Sequence, residues 1–383
     1  MKVLITSGIF PPDIGGPARI IEQMAHDLQA RGIDITVLAF GRDDNEKRNY
    51  QVIKALTKLR FLLTLFNLAK QVDIIYTFDL YTAGFLSWLI GKVFFNKKLV
   101  VRFAGDSAWE IAANAGLTSD DILSFQNGSY GLKIFFLKKL RTKILCGADK
   151  VVVVSNFIKN LAMQIGVDKE KIQVIYNAID FLSTSTGNVA KIRQKFGLTD
   201  INKLIVTAGR LAPWKGFDGL INVLADTRQE FPSLKLLIIG DGPDKRRLET
   251  LRDKHNLGHA VVFVGRVPLD KIFEYYQAAD VFVLNSQYEG LSHVLLEVLQ
   301  FGKPIVASNC GGNPEVIENK KNGLLVEYNN REQIKAAIRN ILSESYWQSN
   351  DFQDACTQSL KKFVWRDVIE KTANVLKEIN QHG

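Results

Sequence analysis

Short runs of Val, Ile and Leu recur along the chain, and each gives way to a stretch whose apolar residues return at helical spacing. In the first half the runs fall at Val3–Ser7, Ile35–Phe40, Asp73–Phe78, Leu99–Phe103, Val151–Ser155 and Gln173–Tyr176. In the second half they fall at Leu204–Ala208, Lys235–Ile239, Val261–Val264, Val281–Leu284, Ile305–Ser308 and Gly323–Val326. A strand that is apolar throughout, rather than alternating, is buried on both faces. Such strands alternating with helices imply parallel sheets covered by helices on each side. A polar, small-residue gap at Ser183–Asn188 interrupts the pattern, which then restarts. The expected architecture is α/β: two doubly wound, Rossmann-like parallel-sheet domains, residues 1–185 and 186–366, facing a central cleft. A last helix of mixed charge follows from about Asp367.

Composition narrows the class. The 383 residues, 46% hydrophobic and 23% charged, suit a soluble globular chain of two domains. Three scattered cysteines argue against a disulfide framework and fit a reducing cytosol. The five histidines form no ligand-spaced cluster, so no metal site is expected. Met1 to Gly8 leads straight into a strand without a signal-peptide layout. The longest uncharged apolar stretch of the first half, Leu80–Gly91, falls short of the roughly 20 residues a membrane-spanning helix needs. The expected location is the cytoplasm. The net charge is +9, and residues 1–185 hold 23 Lys and Arg against 17 Asp and Glu. The excess concentrates in Lys133, Lys138, Lys139, Arg141 and Lys143, interleaved with Ile134, Phe135, Phe136, Leu137 and Leu140. This reads as a basic amphipathic helix. It is either a solvated face over the core or a peripheral contact with an anionic membrane surface. No nucleic-acid motif accompanies it, and nucleic acid is not an expected partner.

Candidate chemistry collects where the runs end. The most informative stretch is Tyr288–Glu297, in which Glu289 and Glu297 flank Gly290, Leu291 and Ser292 and open an apolar helical run. Glu289 is expected on a loop and Glu297 about two turns into the helix. Eight helical residues rise about 12 Å, more than the roughly 5–9.5 Å between the carboxyls of a glycosidase pair. The two carboxylates therefore suit two parts of one elongated, hydroxyl-rich ligand, with Glu297 on a ribose diol. The loop Gly209–Gly216 follows a strand and carries Arg210 and Lys215, a planar fork and a movable point charge for phosphate oxygens. The Gly15–Gly16 turn after the first strand is either structural or a close approach of backbone to ligand. Neither it nor Gly240-Asp241-Gly242-Pro243 completes a dinucleotide fingerprint. Asp106, just past a strand end, is either a proton acceptor or sugar ligand, or a helix N-cap.

Taken in order, these residues resemble the family-four retaining glycosyltransferases of the GT-B fold. The likeness is carried by Glu289–Glu297, Gly209–Gly216, Pro11–Gly16, Val152–Ser155, Val174–Asp180, Ile239–Pro243 and Val264–Val267. It implies a nucleoside-diphosphate-sugar donor held mainly by the second domain. Arg210 and Lys215 would hold the diphosphate and Glu297 the ribose. Glu289 with the Gly290–Ser292 backbone would hold the transferred sugar. The base would lie near Gly240 and Arg266–Val267, with Gly209, Gly15 and Gly16 contributing close backbone. The resemblance also implies retention, no metal and no cofactor, a glycan or lipid-linked acceptor, and a C-terminal helix crossing back to the first domain. Many members carry a histidine facing the sugar. None occurs here between His26 and His255, and Asp106 stands in that place as the candidate catalytic residue beside Glu289, Arg210 and Lys215. A sugar-nucleotide epimerase and a non-catalytic nucleotide-sugar-binding or membrane-surface protein are the alternatives.

Overall fold

In the computed structural model, residues 1–13, 16–42, 46–179, 189–199, 202–228 and 230–381 are described, the side chains of Gly16, Pro17 and Leu269 excepted. They form thirteen strands: β1 Lys2–Ser7, β2 Asp34–Phe40, β3 Gln51–Ala55, β4 Ile74–Thr77, β5 Lys98–Phe103, β6 Lys150–Val153, β7 Ile172–Val174, β8 Leu204–Ala208, β9 Lys235–Ile239, β10 Val261–Gly265, β11 Val281–Leu284, β12 Ile305–Ser308 and β13 Leu324–Val326. Twelve coincide with the apolar runs of the sequence. The exception is β3, whose Gln-Val-Ile-Lys-Ala pattern is broken by Lys54. That lysine is nevertheless buried, and its ammonium donates to the Pro11 carbonyl and lies over the Phe10 ring.

The strands build two all-parallel sheets. The first runs β3-β2-β1-β4-β5-β6-β7 and the second β10-β9-β8-β11-β12-β13. Val3 pairs with Ile35 on one side and Ile74 on the other, and Ile205 with both Leu236 and Val281; the register shifts between Phe263 and Gly265, where β10 meets β9. Every residue of β4, β8, β11 and β12 is buried. Each such Val, Leu or Ile contributes about 1.5–3 kcal/mol relative to exposure, which is why runs without alternation are selected for these positions.

The chain divides into two compact units, Met1–Tyr176 with Trp365–Gly383, and Asn177–Val364. The expected linker at Ser183–Asn188 lies outside the described residues. The C-terminal helix, Trp365–Gln381, belongs to the first unit. Its Trp365 indole donates to Asp27 Oδ2 at 2.6 Å, and Glu378 pairs with Lys150 at 3.1 Å. Helix ends follow local chemistry. Ser155 caps Asn156–Ile165 by accepting the Ile158 N–H at 3.1 Å, and left-handed Gly166 ends it. Among the described residues no helix is long and apolar enough to cross a membrane.

Candidate active site

In the second sheet the strand order reverses between β8 and β11, and a ligand crevice forms where connections diverge in this way. The sequence delivers two loops to that carboxyl edge, Gly209–Gly216 after β8 and Asn285–Ser292 after β11. Lys215 ends a short 3-10 turn, Pro213–Lys215, and its ammonium donates to Glu289 Oε1 at 2.6 Å. The Ser286 hydroxyl donates to the same oxygen at 2.8 Å. Both charged side chains are mostly covered, 19% and 14% exposed, so the bond is stronger than its equivalent in open water. Glu289 Oε2 accepts no hydrogen bond from the described residues, and the ammonium keeps two further N–H donors. Arg210 is exposed and makes no hydrogen bond or ion pair with the described residues.

Backbone contacts fix these groups. Gly216 is left-handed, with φ +62°, and a Cβ on it would stand 2.0 Å from the Asn285 carbonyl oxygen. Buried Asn285 donates to the Gly216 carbonyl at 2.9 Å and to Asn329 Oδ1 at 2.6 Å, and accepts the Asn329 N–H at 3.0 Å. It thereby clamps the lysine loop to the glutamate loop. On the other side, the turn at Gly311–Gly312 meets the glutamate loop backbone to backbone, and the Gly312 N–H donates to the Glu289 carbonyl at 2.9 Å. Asn177, 7% exposed, donates to the Leu291 carbonyl at 2.9 Å.

Held this way, Gly290–Ser292 stays a loop, and the helix begins at His293 and runs to Leu299. Glu297 is therefore little more than one turn into the helix, not two. Its helical rise is only about 6 Å. Glu297 lies beside buried Tyr276, whose hydroxyl is driven toward its protonated form by burial first and by the Glu297 charge second. The loops after β8, β9 and β10 are zipped together at the same edge. Gly209 N–H donates to the Ile239 carbonyl at 2.9 Å, Leu211 N–H to the Asp241 carbonyl at 3.1 Å, and Gly240 N–H to the Gly265 carbonyl at 2.9 Å. A Cβ on Gly240 would lie 1.9 Å from the Gly209 carbonyl oxygen, so only glycine permits this seam. Arg266 projects into solvent 3.7 Å from Asp241, with Val267 half-buried after it.

In the first unit, Gly15 lies outside the described residues and Gly16 opens the helix Gly16–Ala30. Asp106 is fully buried and caps the helix Ser107–Asn114. Its Oδ1 accepts the Ala108 N–H at 3.0 Å; its Oδ2 accepts Gln126 Nε2 at 3.1 Å and pairs with the Arg141 guanidinium, itself 2% exposed. Both oxygens are thus committed to protein donors, as the helix-cap alternative requires.

Sequence reasoning passed over Ser286, Asn285, Asn329, Asn177 and Gly311–Gly312, which shape the site without the charge that draws attention. The Gly311–Gly312 pair after a strand carried the same signal as Gly15–Gly16 and was legible.

Residues 188–362 match the family described as Glycosyl transferases group 1, and residues 14–181 match Glycosyltransferase Family 4. An uncharacterized glycosyltransferase of Methanocaldococcus jannaschii is 28% identical over 404 residues, spanning 98% of both chains. A GDP-mannose-dependent α-(1-6)-phosphatidylinositol monomannoside mannosyltransferase of Mycolicibacterium smegmatis is 32% identical over 162 residues, 40% of this chain and 42% of that one. Among solved structures, Anabaena HepE in complex with UDP-glucose superposes with a TM-score of 0.79 at 21% identity, over 99% of this chain and all of that one.

Proposed function

The chain belongs to the family-four type of glycosyltransferases on the GT-B fold, and from that premise we propose that it moves a sugar from a nucleoside-diphosphate-sugar to a hydroxyl of a glycan or lipid-linked acceptor, with retention and without a metal. The observation that carries the reading is the Lys215–Glu289 pair at the reversal of the second sheet, beside the uncommitted Arg210.

When the bond between sugar and diphosphate breaks, negative charge grows on the departing phosphate. Arg210 and Lys215 supply two positive charges beside it, and charge met by prearranged donors lowers the barrier. Lys215 can serve the phosphate with its remaining protons while Glu289 holds it in place. Glu289 Oε2 then receives a hydroxyl of the transferred sugar, next to the fixed N–H groups of Gly290–Ser292. Glu297 receives the ribose diol, with the Tyr276 hydroxyl behind it. Gly209, Gly240, Arg266 and Val267 border the base. UDP-glucose bound to HepE and the GDP-mannose dependence of the mycobacterial relative support a nucleotide sugar and leave the base open. Asp106 we assign to positioning: it anchors the Leu132–Gly147 helix through Arg141 and does not touch substrate.

Calorimetric titration with UDP, GDP, ADP and their sugar conjugates tests the donor site. One nucleotide series should bind, and Glu297→Ala should weaken it at least tenfold. Binding by none of them, or binding indifferent to Glu297, overturns the assignment. Turnover should survive EDTA, and the product should keep the donor's anomeric configuration by NMR. Loss of turnover restored by a divalent cation would remove metal independence, and an inverted product would remove retention.

A further inference from the structure

The helix Leu132–Gly147 departs from the simple amphipathic helix its sequence suggests, with cations and apolar residues on both its inner and its outer face. Two of its five cations face inward. Arg141 is buried on Asp106, and the Lys138 ammonium is taken by three carbonyls, of Phe125 at 2.8 Å, Gln126 at 2.9 Å and Gly128 at 3.0 Å. Ile134, Ile144 and Leu145 are buried, but three other large apolar side chains face outward: Leu132 is 77% exposed, Phe136 65% and Phe135 50%.

They do not stand alone. The π-helix Ser87–Phe94 packs beside this helix, with Lys143 lying over the Trp88 ring at 5.4 Å and Gly147 against the Trp88 indole. On its other side lies the helix Lys58–Ala69, joined through Phe66, whose ring meets those of Phe94 at 5.6 Å and Phe95 at 4.9 Å. The π-helix sits low on the sheet because Gly91 leaves no room between it and Ile75. Its end presents Phe94 at 67% exposure, and the neighbouring helix presents Leu59 and Leu63 at 66% and 56%. One side of the first unit thus carries an apolar face across three adjacent helices, where isolated exposed side chains would be ordinary.

The charge carried by these helices is one-signed, although Lys92 is paired with Asp149 at 2.7 Å and Arg141 with Asp106. The three helices contain Lys58, Arg60, Lys92, Lys133, Lys138, Lys139, Arg141 and Lys143 and no Asp or Glu. Lys133, Lys139 and Lys143 remain exposed at the rim, Lys139 over the Phe135 ring at 5.6 Å. A protein partner of matching shape would need a concentrated acidic surface that also buries rings. A bilayer surface offers both at once, anionic headgroups above an apolar interior.

We propose that this face docks the first unit on an anionic lipid bilayer, with the Phe94, Phe135 and Phe136 rings and the Leu59, Leu63 and Leu132 side chains entering the headgroup boundary and Lys133, Lys139 and Lys143 lying on the phosphates. The surface belongs to the first unit and the donor loops to the second, so the proposal stands whichever sugar is transferred. It also replaces a purely electrostatic reading of the Lys133–Lys143 segment, because the inserted rings, not only the cations, carry the attachment.

The test is sedimentation of the full chain with vesicles of phosphatidylcholine containing 30% phosphatidylglycerol, against pure phosphatidylcholine. The wild type should bind the anionic vesicles. F135S/F136S, and separately F94S, should each bind at least tenfold more weakly, with unchanged melting and unchanged nucleotide affinity. K133Q/K139Q/K143Q should weaken binding by about 10²-fold, at about 1 kcal/mol per lysine near the surface, and remove most of its salt dependence. No binding by the wild type overturns the proposal, as does binding that survives loss of the rings. Concentration-dependent dimers of the wild type that F135S/F136S abolishes, without vesicle binding, would make the face a contact between two copies and likewise overturn it.

Discussion

Replacing Asp106 separates a catalytic from a structural role, because the two roles predict opposite pairings of stability and turnover. In Asp106→Ala the Arg141 guanidinium stays buried without its carboxylate. Removing one partner of a buried pair costs about 3–5 kcal/mol, and losing the N-cap of Ser107–Asn114 costs about 1 kcal/mol more. In a unit of roughly 200 residues each kcal/mol lowers Tm by about 2–4 °C, so the first unit should melt about 8–24 °C earlier. Arg141→Met should cost a similar amount for the mirrored reason. The double variant, Asp106→Ala with Arg141→Met, removes both charges and should recover most of the loss, leaving about the 1 kcal/mol of the cap. Calorimetric melting of the four proteins gives the coupling. Turnover is measured below the lowest transition, per folded molecule. If Asp106 is structural, the double variant turns over within a few-fold of wild type. A proton-transferring residue contributes about 10²–10⁴-fold, so a fully folded double variant slowed by that factor refutes the structural role. So does a single variant that keeps its Tm and loses its turnover.

Gly216→Ala should disable the donor site without touching a charged group. The new Cβ would meet the Asn285 carbonyl at 2.0 Å in a left-handed conformation costing about 1–2 kcal/mol. The Lys215 loop must move, and nucleotide affinity should fall at least tenfold; unchanged affinity in calorimetry would show that the clamp is dispensable. A second expectation concerns acid. Glu230 is held down to about 2 by hydrogen bonds first from Arg339 and next from Lys335. A carboxylate with a lowered folded pKa contributes stability present above its unfolded value, near 4.5, that is lost as pH falls toward 2. Glu230→Gln should therefore melt below wild type at neutral pH, and the gap should close between about 4.5 and 2. A gap that is constant over that window would mean the ion pair contributes nothing.

How much of this was readable in the sequence depends on how local each cause is. A parallel strand buried on both faces is a local fact, since each Val or Ile is selected for its own burial, and twelve strands could be read off. The β3 strand was hidden by Lys54, and nothing beside it in sequence announces that its charge is absorbed by the Pro11 carbonyl. The charged residues of the donor loops were equally visible, because Arg210, Lys215, Glu289 and Glu297 advertise themselves by type and by position after strands. What orients them is neutral and distant: Asn285 acts on Gly216 and Asn177 on Leu291. The late start of the helix after the Glu289 loop, at His293, and so the shallow depth of Glu297, is set by that distant support and by the Gly311–Gly312 turn.

The Leu132–Gly147 helix carries the same lesson to its limit. Its sequence reads as a basic amphipathic helix, and nothing local says that Arg141 and Lys138 turn inward while Leu132, Phe135 and Phe136 turn outward. The choice is made by Asp106, by the carbonyls of Phe125, Gln126 and Gly128, and by the shape of the π-helix beside it. Burying Arg141 and Lys138 is tolerable only because every one of those acceptors arrives in place. A sequence that spends so many polar partners on holding cations inside, while leaving two phenylalanines and a leucine in water, is stable in isolation at a disadvantage that contact with a bilayer would remove. The orientation of this helix and the lipid-docking face are therefore one hypothesis seen from two sides: the Asp106–Arg141 cycle measures the inward half, and the ring substitutions measure the outward half.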